Sequence, residues 1–464
     1  GDGENLIARL RPWLLIAWIF LTAGIALGSW WSYDVLGWGG YWAWDPVETS
    51  SLLPWLISTG LLHSMFLQQK RAIFKRINLV LILLSYLLIV FSILMTRAGL
   101  LSSVHAFGES AISRPLMIFL LVFCAISVGL IIWRWKKLDS GWEFKSYFSR
   151  DALFLYTLVL LGAIALVCLW GLLYPLASPA FGGMEITLDR GYYDRAVTPL
   201  FVLLVFLMAV CPLVGWSLSS LKKLGKKALT PTIIAVVGTI AAYIWVSRSW
   251  VALLSIFIVL LGLAVLVTQT VCELRGTGQP LKRFWQMRSR YGAYFVHAGI
   301  LLIVLGIVGV EGLSQNIQGT MIPGDKMPLD NYLVEFVELQ ERYDNPEYLS
   351  VRAQINLWRD DKIIGQLEPG QDIYENRGQY VSIPGKRSNL VGDFYTLMLG
   401  YDLTMGYVVI QATVNPLVNF MWLGAMFLCL GAAFSLSSPV VREQALRRSD
   451  EDLAETEERE RDAA

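Results

Sequence analysis

Ten long apolar stretches constrain the fold of this chain more than any other feature. About 17 to 25 apolar residues cross a bilayer as a helix, and a chain that is 55% hydrophobic and 16% charged, with a mean hydropathy of +0.53, falls among membrane proteins. The predicted membrane spans are 13–30, 51–68, 77–95, 114–133, 152–174, 199–217, 230–246, 250–270, 291–311 and 416–436.

The distribution of lysine and arginine predicts the orientation of these spans. Of the 38 basic residues, 25 fall on the side that holds both termini and 13 on the other side. Eight of those 13 lie in the long segment 312–415, and long segments count little in the positive-inside rule. Both termini are therefore predicted to be cytoplasmic.

The segment 312–415 differs in composition from the spans. Stretches such as "DNYLVEFVELQ" alternate apolar and polar residues and are separated by turn signals such as "EPG" and "IPG", a pattern typical of β-strands. The predicted fold class is an all-α polytopic membrane protein with a small β-rich extracytoplasmic domain. Its predicted parts are a transmembrane core at 1–311, the β-rich domain at 312–415, a last transmembrane helix at 416–436 and a charged cytoplasmic tail at 437–464.

Composition also limits the function classes. A net charge of +1 gives no indication of nucleic-acid binding. The five cysteines form no C-x-x-C pair, which predicts neither a disulfide framework nor a thiol-redox motif. The chain begins at Gly1 without a methionine or a signal peptide, so we expect an incomplete or processed N-terminus.

Two of the three histidines lie inside predicted spans at the same depth. His63 is about five residues from the cytoplasmic end of the second span and His297 about six from that of the ninth, so each is roughly 8 to 10 Å into the membrane. Ionisable residues in spans are costly and indicate function, and two imidazoles at one depth can ligate a b-type haem. The alternative is that each histidine hydrogen bonds a neighbouring helix.

The third histidine lies in an outward loop. His105 follows the third span in "MTRAGLLSSVHAFG", and Arg97 and Arg114 flank this loop. The histidine is either a haem ligand or a solvated loop residue. The two arginines either meet haem propionates or anchor the helix ends at the interface.

A stretch rich in tryptophan lies on the same outward side. The tryptophan segment, residues 30–55, includes "GWGGYWAWDPVETSSLLPW". Aromatic residues favour the membrane interface, so an aromatic belt is one interpretation; glycines and central acidic residues instead favour a pocket for a flat apolar cofactor. The candidate platform comprises Trp30, Trp31, Trp38, Trp42 and Trp44. Asp45 and Glu48 are expected to order this segment and cap the second span.

The segment "GWGGYWAWDPVETSSLLPWL", followed by "MTRAGLLSSVHAFG", resembles the WD domain of the haem-handling protein superfamily, and specifically its CcmF branch. The span "YFVHAGILLIVLG" and the closing "NPLVNFMWLGAMFLCLG" extend this resemblance over essentially the whole chain. CcmF proteins are the haem lyase component of System I cytochrome c biogenesis in the bacterial inner membrane.

The resemblance implies roles for the candidate residues. The tryptophan segment would receive haem from a periplasmic haem chaperone, and His105 would ligate that haem. His63 and His297 would hold a permanent b haem. The haem vinyl groups would be joined to the thiols of a C-x-x-C-H motif in apocytochrome c, which is delivered with its thiol-handling partners.

Family members usually carry several more N-terminal helices and a second outward histidine. This sequence has only three histidines, so the second outward ligand is expected either on a missing N-terminal piece or on a separate N-terminal chain, which is then a candidate partner. Two other functions stay open: a haem exporter or haem-presenting protein, and a membrane b-type cytochrome that oxidises quinol. Loss of outer haem on replacement of His105 would separate the cytochrome from the other two.

Overall fold

The computed structural model describes residues 2–35, 37, 40–71, 73–101, 103, 111–138, 147, 149–214, 221–275, 278–345, 347–374 and 378–437. Within these ranges the chain forms eleven α-helices, ten of which are long and apolar enough to cross a membrane. The helices are α1 Asp2–Asp34, α2 Pro46–Arg71, α3 Lys75–Ala98, α4 Ser113–Arg134, α5 Arg150–Gly182, α6 Arg190–Val210, α7 Leu221–Trp245, α8 Trp250–Arg275, α9 Pro280–Gln286, α10 Arg288–Gly312 and α11 Asn419–Leu436.

Each predicted span corresponds to one of the ten long helices, and the predicted fold class is confirmed. Helix α6 begins nine residues before its predicted span because Asp189 caps it, accepting a hydrogen bond from the Tyr192 amide at 3.1 Å. The final helix starts at Asn419 instead of 416 because a β-strand continues to Pro416. The starts of these two helices are therefore set by capping and by strand pairing, which a hydropathy pattern does not show.

Ten antiparallel strands lie between α10 and α11 in the described part of the chain. One sheet has the order β1-β10-β9-β8, and the other the order β2-β3-β4-β6-β7 with β5 paired to β4. A single apolar core contains residues of both sheets, among them Phe336, Ile355, Phe394 and Ile410. The strands are β1 Gln315–Met321, β2 Lys326–Leu329, β3 Tyr332–Asn345, β4 Tyr348–Arg359, β5 Lys362–Leu367, β6 Gly370–Tyr374, β7 Gln379–Ile383, β8 Gly385–Asn389, β9 Gly392–Asp402 and β10 Tyr407–Pro416.

Strand β9 joins this β domain to the helix bundle. Successive side chains of a strand point to opposite faces, and here both faces are buried. Phe394 and Met398 belong to the core of the β domain, whereas Tyr395 and Leu397 pack with Tyr33 of α1 and with the start of α11. The Tyr33 and Tyr395 rings stack with centroids 5.0 Å apart. We refer to the end of the bundle that carries this junction as the β-domain end.

Helices α10 and α11 flank the β domain and pack closely along their length. A Cβ atom added to Gly299 would lie 2.6 Å from the Gly424 carbonyl oxygen, and one added to Gly431 would lie 2.8 Å from the Gly292 carbonyl oxygen. Small residues of this kind let membrane helices approach backbone to backbone. This contact fixes the position of α10, which carries His297.

Candidate functional site

His63 on α2 and His297 on α10 lie side by side. Their ring centroids are 6.2 Å apart, and the ring planes are inclined by 69°. Both lie about 12 to 14 Å from the helix ends opposite the β domain, given the rise of about 1.5 Å per residue. Sequence predicts the shared depth of the two rings, and the fold adds that they are neighbours.

Each of the two rings is oriented by its own helix. His63 Nδ1 lies 2.8 Å from the Thr59 carbonyl oxygen, and His297 Nδ1 lies 2.7 Å from the Ala293 carbonyl oxygen. A neutral imidazole bonded in this way carries its proton on Nδ1, so Nε2 keeps a free lone pair. Metal-ligating histidines typically show this arrangement.

The pair fits two axial ligands of one metal ion. Two metal–nitrogen bonds of about 2 Å, plus about 1 Å from each nitrogen to its ring centre, give a centroid separation of about 6 Å, close to the 6.2 Å observed. Within the described residues there is no cluster of three or more histidine, cysteine, aspartate or glutamate side chains suited to a metal ion. Two isolated imidazoles match the ligand set of a haem iron better than that of a tetrahedral zinc site.

A polar and aromatic cluster lies just above His63, toward the β-domain end. Trp18 and Trp55 stack with centroids 5.8 Å apart, and the Trp18 indole donates to the Thr59 hydroxyl at 2.8 Å. The Thr59 hydroxyl donates in turn to the Trp55 carbonyl oxygen at 2.7 Å. Sequence analysis did not assign Trp18 or Thr59 to the site. The sequence signal for them is Trp18 itself, because a tryptophan inside a membrane span needs a hydrogen-bond acceptor for its indole.

The tryptophan segment lies at the β-domain end, where Trp44 is the centre of a ring cluster. Trp44 stacks on Tyr193 of α6 with centroids 4.7 Å apart and planes within 3°, and it meets Trp42 edge-on at 5.8 Å. Its indole nitrogen donates to Asp194 at 3.3 Å. The fold therefore brings Trp42 and Trp44 together.

The backbone of the tryptophan segment is unusual at two positions. Trp44 has a φ of 57°, which a bulky side chain rarely adopts, so the surrounding contacts must hold it there. Gly37 has a φ of 58°, and a Cβ atom at this position would lie 2.9 Å from the Ser382 carbonyl oxygen. Only glycine fits where β7 of the β domain closes over the segment.

The two acidic residues of the segment bind backbone amides. Glu48 accepts from the amides of Ala43 at 2.9 Å and Asp45 at 3.3 Å, and Asp45 accepts from the Val47 amide at 2.9 Å. Asp45 also accepts from the Ser103 hydroxyl at 2.6 Å, which ties the segment to a residue shortly after α3. The carboxylates thus order the turn into α2, in the manner of a capping box.

The remaining candidates are distributed around this end of the bundle. Trp30 and Trp31 lie on the exposed side of α1, and among the described residues neither ring contacts Trp42 or Trp44. Exposed Arg97 and Arg114 lie close together, since the Ser113 hydroxyl donates to the Arg97 carbonyl oxygen at 3.1 Å. Trp38 and His105 lie outside the described residues.

An ionic network missed by sequence analysis clamps the tryptophan segment. The Tyr41 hydroxyl donates to Glu311 at 3.2 Å, Arg190 bonds Glu311 at 2.6 Å, and Arg190 also bonds Asp194 at 3.3 Å. Burial, reinforced by the Glu311 carboxylate, raises the pKa of Tyr41 above its ordinary value. The polar run "DRGYYDR" before the sixth span is the signal for this network.

Comparison with known proteins places the fold in a class. The family model described as "Cytochrome C assembly protein" matches residues 4–101, which include the tryptophan segment and His63. A solved structure named "Cytochrome c Heme Lyase CcmF" superposes with a TM-score of 0.75 and 24% identity, covering 93% of this chain and 66% of that one. The molecule has the fold of this class of polytopic membrane proteins.

Two curated relatives identify the family. The cytochrome c-type biogenesis protein CcmF of Escherichia coli is 31% identical over 451 residues, covering 96% of this chain and 68% of the relative. That of Pseudomonas aeruginosa is 33% identical over 433 residues, covering 92% and 64%. The chain belongs to the CcmF family. It spans about two thirds of the length of these relatives.

Proposed function

We propose that this chain acts in cytochrome c maturation as the core of a cytochrome c haem lyase in the bacterial inner membrane. The family membership and the ten candidate membrane helices support this proposal. The excess of basic residues on the side of both termini supports cytoplasmic termini, with the tryptophan segment and the β domain outside. In this proposal the chain divides into a core at 1–311, an extracytoplasmic domain at 312–415, a last helix at 416–436 and a tail at 437–464.

The observation that carries the proposal is the geometry of the histidine pair. His63 and His297 would hold a resident b haem through their Nε2 atoms, with the tautomer fixed by the carbonyl oxygens of Thr59 and Ala293. A haem bound there would supply one-electron redox chemistry for keeping the substrate iron reduced. Both rings are half-buried, and each lies on a candidate membrane helix.

The tryptophan segment would bind the substrate haem, presented by a periplasmic haem chaperone. Trp42 and Trp44 offer aromatic faces for a flat apolar macrocycle, with Trp30, Trp31 and Trp38 extending the surface. Arg97 and Arg114 supply positive charge for the propionates, and His105 supplies the iron ligand. Asp45 and Glu48 serve this site by holding the turn.

The reaction at this site is the addition of apocytochrome c thiols to the haem vinyl groups. A carbon–sulfur bond forms at each vinyl group and the thiol proton moves to the adjacent carbon, so no other atom is gained or lost. No side chain of the segment is assigned as a general acid, and the protein contributes chiefly by holding the two reactants in place. The β domain is the proposed docking surface for apocytochrome c. A second outer haem ligand would come from a further N-terminal part or from a separate N-terminal chain, and quinol is the candidate electron donor.

Haem content of the purified chain tests the proposal. Reduced-minus-oxidised pyridine haemochrome spectra are expected to show non-covalent b haem in the parent protein and in Ser64→Ala, a buried neighbour of His63, but almost none in His63→Ala or His297→Ala. His105→Ala is expected to keep this haem and to lose maturation of a reporter c-type cytochrome. A haem-free parent, or full haem in both histidine variants, would overturn the assignment.

A simple electron-transferring b-type cytochrome is the second candidate, and the same histidine pair favours it. For that function His105→Ala would leave both the haem content and the quinol-dependent reduction unchanged. The amount of mature reporter cytochrome would be the same in every variant.

A further inference from the structure

The turn between β8 and β9 presents two exposed apolar side chains. Leu390 is 88% exposed and Val391 is 68% exposed. The turn is held by Asn389, whose side-chain oxygen accepts from the amides of Val391 at 2.8 Å and Gly392 at 3.0 Å. A fixed turn that displays two aliphatic side chains to water forgoes the stabilisation that their burial would give.

This turn is bonded to the first residues of a membrane helix. The Leu417 amide donates to the Val391 carbonyl oxygen at 2.5 Å, and the Asn419 side chain donates to the Asn389 carbonyl oxygen at 2.7 Å. Asn419 is the first residue of α11, a candidate membrane span of 18 residues. The turn therefore lies level with the start of a span that is barely long enough to cross the bilayer.

Helix α10 gives a second estimate of the height of the turn. Gly309 packs against the chain just before α11, where an added Cβ atom would lie 2.8 Å from the Leu417 Cβ. Gly309 is three residues before the end of α10 at Gly312, so this level is about 4 to 5 Å inside the end of the helix. Both flanking helices place the turn at the membrane boundary.

Aromatic residues mark the same boundary on two helices, α1 and α11. Trp422 lies one turn into α11 and approaches Tyr33 of α1 with ring centroids 6.0 Å apart. Exposed Trp30 and Trp31 lie on the last turns of α1. Tryptophan and tyrosine concentrate at the junction of headgroups and acyl chains, and from this level the exposed apolar side chains Leu423, Met426 and Leu430 continue down α11.

We propose that the Leu390–Val391 turn inserts into the lipid leaflet at the β-domain end and anchors the β domain to the bilayer. The surface it joins is the lipid-facing exterior of α11, and the partner is the acyl region beneath the headgroups. The β domain is connected covalently to α10 and α11, and Tyr395 and Leu397 of β9 pack at the junction with α1. The anchor adds a further attachment, to lipid, at the start of the same strand. It is independent of any haem chemistry.

The opposite end of the same strand provides a matched control. The β9–β10 turn also displays apolar side chains, with Met405 76% exposed. It has the same local construction, since Asp402 accepts from the amides of Thr404 at 2.8 Å and Met405 at 2.9 Å. The ten residue steps of β9 separate the two turns by about 33 Å, so the control turn lies at the far end of the strand from the proposed anchor.

The test uses an environment-sensitive fluorophore attached to Leu390→Cys or to Met405→Cys of the full chain in lipid nanodiscs. The parent chain, labelled in parallel, gives the background from the five native cysteines. Nitroxide carried on the upper acyl chain is expected to quench the probe at 390 by about twofold or more, as for side chains at 5 to 10 Å depth, while iodide in water quenches only the probe at 405.

Three results would overturn the proposal. Iodide quenching at 390 equal to that at 405 would place the turn in water. Lipid quenching at both positions would mean that the whole domain lies on the membrane and that the turn has no special role. A probe at 390 quenched by neither agent would show that protein, not lipid, covers the turn. None of these results bears on haem content, so failure here is distinguishable from failure of the proposed function.

Discussion

The histidine pair and the tryptophan segment are positioned in opposite ways. Each histidine is oriented by a carbonyl oxygen four residues earlier on its own helix. Trp44 depends instead on Tyr193 and Asp194 of α6, 150 residues away in sequence. The histidine pair, which we call the inner site, has side chains that are oriented as soon as their own helices form. The tryptophan segment, which we call the outer site, takes its shape only after the bundle and the β domain have assembled.

Replacing Trp44 should break the outer site and spare the inner one. Trp44→Ala removes the stack on Tyr193 and the bond to Asp194, and is expected to cost about 2 to 3 kcal/mol, below the loss for a fully buried tryptophan. Trp44→Gly should cost about 1 kcal/mol less than alanine, because glycine accepts the φ of 57° without strain. Thermal unfolding in nanodiscs measures both effects.

The lipid-exposed Trp133 on α4 provides the control for this prediction, because its replacement by alanine should change the unfolding midpoint little. The visible spectrum of the b haem proposed for His63 and His297 should be unchanged in all three variants. A loss of that haem in Trp44→Ala would contradict the independence of the two sites.

Replacing Thr59 tests whether the histidine pair depends on a contact between helices. Thr59→Val keeps the carbonyl oxygen that orients His63 but leaves the buried Trp18 indole without its acceptor. We expect stability to fall by about 1 to 2 kcal/mol with haem content unchanged, as measured by thermal unfolding and haemochrome spectra. Thr157→Val, which loses only a bond to its own helix at 2.9 Å, is the matched control. Haem loss in Thr59→Val alone would show that the inner site also depends on contacts between helices.

Alkaline pH should weaken the contribution of Tyr41 to the outer site. The pKa of Tyr41 is raised in the folded protein, so this hydroxyl contributes stability in full below the unfolded pKa of about 10, and that contribution declines as pH rises above it. Tyr41→Phe should be less stable than the parent by about 1 kcal/mol or less at pH 8, and the difference should shrink by pH 11. Unfolding midpoints across this range measure the effect, with exposed Tyr343→Phe as control. A pH-independent difference would contradict the raised pKa.

The fold was largely predictable from the sequence because hydropathy is a local signal. Runs of apolar residues identify the spans, and alternation identifies strands such as β10, whose inward residues Val408 and Ile410 are fully buried. Depth along a span is equally local, so sequence alone predicts the common level of His63 and His297.

Contacts between distant segments could not be predicted in this way. Nothing near Trp44 in the sequence indicates that Tyr193 stacks on it, and nothing near Gly37 indicates that Ser382 closes over it. Trp30 and Trp31 share the segment with Trp44 but lie on the exposed side of α1, whereas Trp44 lies beyond the end of α1 and packs on Tyr193 of α6.

The double-sided burial of strand β9 has a consequence for how this domain can be inherited or engineered. Alternate residues of β9 belong to two different apolar cores. One of these cores also contains Tyr33 of α1 and, at the start of α11, Val418 and Met421. Inserting one residue into β9 would exchange the two sets of side chains, and excising the domain would leave Tyr395 and Leu397 without cover. The β domain is therefore not a portable module: it can be exchanged between proteins only together with the helix ends on which it rests.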